Sequence, residues 1–148
     1  MQTFLKHAKS ASRIIATLDP KTKNDVLADM ADTLESQSEC IIFENQKDLN
    51  NKKKNNLSSA MVDRLLLNSK RIAEMAKAIR EIASLKEPVG RVLEGWVVPS
   101  GIKIEKVTIP IGVIGIIYES RPNVTSDTAP LCFKSGTACV LKAGKEAF

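Results

Sequence analysis

The sequence predicts an α/β fold in which helices come first, a strand pair follows, and a βαβ unit opens towards the end. Three observations carry that expectation. Before Pro88, apolar residues recur at spacings of three and four, the period of helices with one buried face. All seven glycines fall at or after Gly90, so turn and strand chemistry is confined to the later part of the chain. Two apolar runs, 112–117 and 138–141, flank a polar turn over 118–123 and a helix-like segment ending at Gly136. That order is strand, loop, helix, strand. A continuous apolar strand fits a sheet covered on both faces. Such a unit cannot close a domain alone, so the sequence reads as the front part of something longer.

The first helix is expected over residues 3–18, where Phe4, Leu5, Ala8, Ala11, Ile15 and Leu18 form one apolar face. Asp19 and Pro20 then supply an N-cap and a proline at the first helical position. A second helix runs to about Asn50, with Val26, Leu27, Met30, Ala31 and Leu34 on its stripe. Its length exceeds that of a typical helix, so a break is expected near 36–38. Residues 50–56, NNKKKNN, form a connection. The low aromatic content around Lys52, Lys53 and Lys54 favours a solvated loop over a phosphate patch. Ser58 or Ser59 caps a short helix carrying Met61, Leu65 and Leu66, and Asn68 or Ser69 starts the next. Ile72, Met75, Ala76, Ile79, Ile82 and Ala83 give that helix a continuous face, and it must end before Pro88. From Arg91, the runs RVLEGWVV and IKIEKVTI surround Pro99, Ser100 and Gly101, which predicts a hairpin or an adjacent strand pair.

Composition narrows the class. The chain has 148 residues, enough for one domain or two small ones, with 43% hydrophobic and 26% charged residues, as in soluble globular proteins. No stretch has the apolar length of a membrane span. The N-terminus, MQTFLKHAKSASRIIATL, reads as a helix and not a signal peptide. Cys40, Cys132 and Cys139 show no CxxC spacing, and an odd count without a signal peptide points to reduced thiols in a cytoplasmic protein. A net charge of +5 permits anionic partners without identifying nucleic acid.

Neither a GxGxxG fingerprint nor a Walker A loop is present. Gly112 and Gly115 read as close-packing positions within a strand. His7 is the lone histidine and reads as an exposed helical residue. Cys132 and Cys139 lie in apolar surroundings that disfavour a thiolate. In open α/β sheets, ligands sit beyond the carboxyl ends of the strands. Two polar clusters fall there: Tyr118, Glu119, Ser120, Arg121, Pro122 and Asn123, and then Lys142 with Glu146. Arg121 can hold a phosphate or carboxylate bidentately, and Asn123 can donate to a developing oxyanion. Lys142 can meet an anionic cofactor. By spacing alone, an ordinary capped turn and an exposed lysine account for these residues equally well.

At this loop the sequence resembles a known family. IPIGVIGIIYESRPNVT, then LCFKSGTACVLKAG, together with ENQKDL, LSSAMVDRLLL and RIAEMAKAIREIASLKEPVG, closely resemble glutamate-5-semialdehyde dehydrogenases, also called γ-glutamyl phosphate reductases. These form a branch of the aldehyde dehydrogenase superfamily, and YESRPNVT belongs to this branch more than to the superfamily at large. The resemblance implies three parts. Residues 1–90 are a helical N-terminal segment, 91–108 a strand pair of the oligomerisation type, and 109–148 the start of an NADPH-binding domain of the aldehyde-dehydrogenase type. It implies NADPH-dependent reduction of L-glutamyl 5-phosphate to the semialdehyde in proline biosynthesis. Asn123 matches the family's oxyanion asparagine and Lys142 its ribose-contacting lysine. Glu146 matches a cofactor-contacting glutamate if one residue is inserted. Arg121 is expected to anchor the substrate's anionic end. The family's nucleophilic cysteine belongs to a later catalytic domain, and neither Cys132 nor Cys139 matches it. Residues 1–148 are therefore expected to be an inactive N-terminal portion. Pro130 falls inside the expected helix, where it either delays the helical hydrogen bonding or kinks the helix.

Other readings remain. A relative kept for pairing with a full-length subunit would be a non-catalytic interaction module. A basic nucleic-acid-binding protein would need lysines clustered on one face, and the sequence offers the KKK loop alone. The strands after Arg91 expect neighbours, and unpaired edges seek other chains, so a homo-oligomer is expected.

Overall fold

The computed structural model describes residues 2–50, 58–119 and 121–144. Most of the connection read over 50–56, including its three lysines, lies outside the described residues, as does Glu146. The element order is α1 (Gln2–Ile15), α2 (Pro20–Ser36), α3 (Ser38–Asn50), α4 (Ser59–Leu65), α5 (Ser69–Ser84), β1 (Val92–Val97), β2 (Lys103–Val107), β3 (Val113–Ile117), α6 (Pro122–Lys134) and β4 (Ala138–Lys142). Among the described residues, no helix is long and apolar enough to cross a membrane.

Local chemistry sets most of these boundaries. The Asp19 carboxylate accepts from the Thr22 backbone N–H at 2.9 Å, and Pro20 occupies the first turn of α2. The expected long helix does break: Gln37 separates α2 from α3 and donates its N–H to Thr33 O. Ser36 Oγ also bonds back to Thr33 O, the kind of side-chain competition that weakens a helix interior. Of the paired capping candidates, Ser58 caps α4 and Asn68 caps α5. The α1 helix stops at Ile15, three residues short of the expected end, and Thr17 and Leu18 continue as a tighter turn.

The core lies where α2, α5 and α6 meet. Leu27 and Ala31 of α2 pack with Ala76, Ile79 and Ile82 of α5, and Phe133 of α6 closes over them. Buried polar groups tie the same elements together. Lys134, 3% exposed, donates from Nζ to Asn24 Oδ1 and to Ala83 O, while Lys23 Nζ meets Glu87 Oε1 at 2.6 Å. In α3, the buried Asn45 gives its amide to Leu65 O and accepts from the Leu67 N–H, which fixes the chain leaving α4. Packing is different for α1, which lies against β4 and β3 with Phe4 and Leu5 still exposed.

Among the described residues, the strands form two separate pairs. In the first, β1 and β2 make an antiparallel hairpin with Val97 opposite Lys103. Gly101, at φ +86°, turns the chain in a conformation that other residues rarely adopt. All of its strand residues are exposed. In the second, β3 and β4 are parallel, with Val113 opposite Ala138 and Ile117 opposite Lys142, and α6 is the crossover. The expected cover on both faces of β3 is not found within the described residues: Val113, Gly115 and Ile117 are exposed. After α6, Gly136 adopts φ +67°, and a Cβ there would come within 2.9 Å of Pro110 Cγ. That position therefore needs glycine for both its torsion and its clearance. Pro130 sits buried in the middle of α6, well after the helix has begun.

Candidate functional site

The polar segment after β3 is shorter than the sequence suggests. The turn expected to reach Asn123 gives way earlier, because α6 begins at Pro122. The physical reason is the Arg121–Pro122 step. A residue before proline is pushed out of the helical region, and proline is pre-set for the first helical position. Arg121 accordingly stands at the N-cap with φ −138° and ψ 88°, and its own side chain makes no capping hydrogen bond. Asn123 thus lies in the first turn of a helix, on an exposed surface, held by a regular backbone and not by a loop.

Its side chain is also oriented. Asn123 Nδ2 donates to Asp127 Oδ2 at 3.2 Å, one helical turn further on. A carboxamide carries two N–H donors, so this bond leaves one for another acceptor. On the preceding segment, the Tyr118 hydroxyl bonds to Thr125 Oγ1 of α6, and the Tyr118 N–H donates to Lys142 O at 3.1 Å. These bonds tie the carboxyl ends of β3 and β4 to the start of the helix.

Arg121 and Asn123 share a cavity of about 400 Å³, whose other wall is built by the end of α4 and the start of α5. The lining is charged in both senses: Arg64, Arg71 and Arg121 face Asp63, Glu74 and Asp127. Arg71 is committed to the fold, since its guanidinium donates to Leu66 O at 2.7 Å and to Asp63 Oδ1 at 3.0 Å. Lys142 is placed apart from this cavity. It ends β4 with its side chain exposed, and the next residue, Ala143, lines a smaller cavity of about 340 Å³ with Tyr118 and the α3 residues Cys40 and Glu44. The structure therefore brings Arg121 and Asn123 together and sets Lys142 on the strand-end side.

The cysteines divide by environment. Cys132 is buried, and burial, with Cys139 close by, pushes its thiol above the ordinary value of 9.0. That agrees with the expectation that a thiolate is disfavoured there. Cys40 is exposed on α3, and His7 is exposed on α1.

No protein-family model matches the chain. The γ-glutamyl phosphate reductase of Aliarcobacter butzleri is 63% identical over 147 residues, covering 99% of this chain and 36% of the relative. That of Nautilia profundicola is 60% identical over the same length. The crystal structure of γ-glutamyl phosphate reductase from Thermotoga maritima matches with a TM-score of 0.92 at 39% identity, over 96% of this chain and 34% of that one. The chain closely resembles an N-terminal portion of the γ-glutamyl phosphate reductases. The Saccharomyces cerevisiae reductase agrees, with a TM-score of 0.93 at 33% identity over 37% of its length. The chain spans about 36% of the length of the γ-glutamyl phosphate reductases it matches in sequence. The fold is the expected one: helices, a strand pair and an opening βαβ, as in the N-terminal part of those reductase structures.

Proposed function

We propose that this chain forms part of an enzyme that reduces L-glutamyl 5-phosphate to L-glutamate 5-semialdehyde with NADPH, in proline biosynthesis, and that Asn123 stabilises the oxyanion. The observation that carries the reading is the oriented Asn123 amide, in the first turn of α6 beyond the carboxyl end of β3, with one donor held by Asp127. In the overall reaction the acyl carbon gains a hydride, the carbon–oxygen bond to phosphate breaks, and inorganic phosphate leaves. A thiolate that attacks the acyl carbon first drives negative charge onto the carbonyl oxygen. A fixed amide donor aimed at that oxygen lowers the barrier because nothing reorganises when the charge appears. Cys132 is no candidate for that thiolate, since its burial favours the neutral thiol.

The residues present fit one end of a dinucleotide site. Lys142 is an exposed residue at the carboxyl end of β4, opposite Ile117 and one position before Ala143 of the strand-end cavity, the region ligands take in open α/β sheets. There Lys142 would hold the ribose of NADPH, with Glu146 as a further contact. When bound, NADPH supplies the hydride. Arg121 would hold an anionic group of the substrate. The fully exposed β1–β2 hairpin favours a second role beside this one, pairing between chains in a homo-oligomer.

The test uses a full-length chimera, the Aliarcobacter butzleri reductase with its matching segment replaced by residues 1–148. NADPH oxidation is followed by absorbance. Asn123→Ala should lower kcat by about 10²–10³-fold, the scale for losing one oxyanion donor, with little change in NADPH affinity. Near-normal turnover would remove the oxyanion role.

A further inference from the structure

We propose that the charged cavity between the α4–α5 corner and the start of α6 is the subsite for the α-amino and α-carboxylate groups of the substrate, with Arg64 and Arg121 taking the carboxylate and Glu74 the ammonium. This assignment rests on the reading of Asn123 as the oxyanion donor. A substrate whose reacting carbonyl lies at Asn123 must put the rest of its chain somewhere nearby. The cavity that Asn123 itself lines has about 400 Å³, within the usual range for small-molecule sites of roughly 300–1,000 Å³.

Charge decides what kind of group fits. A wall of one sign would suit a phosphate or a simple dicarboxylate. This wall carries both signs, which suits a zwitterionic amino-acid head. Among the described residues, no ion pair engages Arg64, Arg121 or Glu74. Their neighbours are already committed: Arg71 to Leu66 O and Asp63, and Asp127 to the Asn123 amide. The committed pairs make a fixed frame, and the uncommitted charges are exposed within it. Two arginine forks match a carboxylate, and a carboxylate side chain matches an ammonium group. The subsite would then discriminate at the end of the substrate away from the chemistry, where a missing charge leaves a partner group unpaired.

The chimera provides the test, run in the aldehyde-oxidising direction with NADP⁺ and phosphate. Three aldehydes are compared: 2-amino-5-oxopentanoate, 5-oxopentanoate, which lacks the amino group, and 4-aminobutanal, which lacks the carboxylate. Glu74→Gln should lower kcat/KM for the first aldehyde about tenfold or more, through KM, and leave 5-oxopentanoate within about twofold. Arg64→Gln should lower the two carboxylate-bearing aldehydes and leave 4-aminobutanal within about twofold. Equal losses on all three aldehydes, or no loss on any, would overturn the subsite. A folded chimera that oxidises none of the three would overturn the reductase reading beneath it, which is a different result from an active chimera with unchanged selectivity.

Discussion

Asp127 and Cys132 lie on the same helix and show how differently one element can treat two polar side chains. Asp127 orients Asn123, and the i, i+4 spacing that makes this possible is visible in the sequence, although the pairing itself went unread there. Cys132 points into packed surroundings that hold its thiol above 9.0. A raised folded value means that the native chain keeps the proton longer than the unfolded chain does. The stabilising contribution is therefore complete below about pH 9 and is lost as pH rises through the folded value. We expect Cys40 to react with iodoacetamide quickly near neutral pH and Cys132 slowly until the chain unfolds, read by mass spectrometry of the labelled peptides. Rapid labelling of Cys132 in the folded chimera would show an accessible thiolate and reopen its chemistry.

At the scale of elements, caps and core make unequal contributions. Leu27 has no exposed surface at the junction of α2 and α5, so Leu27→Ala in the chimera should cost about 2–5 kcal/mol. Asn68 caps α5 through the Arg71 N–H, and Asn68→Ala should cost about 1 kcal/mol. Denaturant midpoints with unchanged slopes would measure both, and a larger loss at Asn68 would contradict the packing described. These elements were legible because their signals are local: a capping side chain, an apolar period, a proline. The start of α6 was equally local, written in Arg121–Pro122, yet the polar composition around it reads as a turn. The cavity was not legible at all. Its walls come from residues about fifty positions apart, and nothing in the spacing of Arg64, Glu74 and Arg121 announces that they meet.

The whole molecule is unevenly finished. One side is a packed junction of α2, α5 and α6, while the hairpin leaves Trp96 and Val97 in solvent and β3 leaves Ile117 81% exposed. Sheet edges and apolar faces of this kind associate when they meet a complementary surface. Residues 1–148 alone should self-associate in sedimentation velocity as concentration rises, and charged substitutions at Trp96 and Val97 should weaken that association. A strict monomer at high concentration would count against it. The faces most exposed here belong to the later strands, which is why a helical core could be read from periodicity while the surroundings of β3 could not.

The buried grip on Lys134 has a mechanical side. A helix of thirteen residues reaches about 20 Å, and α6 is clamped at its far end by Asn24 and the Ala83 carbonyl. Asn123 therefore stands at the end of a lever rooted in the core and braced near its tip by the Tyr118–Thr125 bond. A small tilt at the root becomes a larger displacement at the tip. Changes deep between α2 and α5 would be felt at the Asn123 amide.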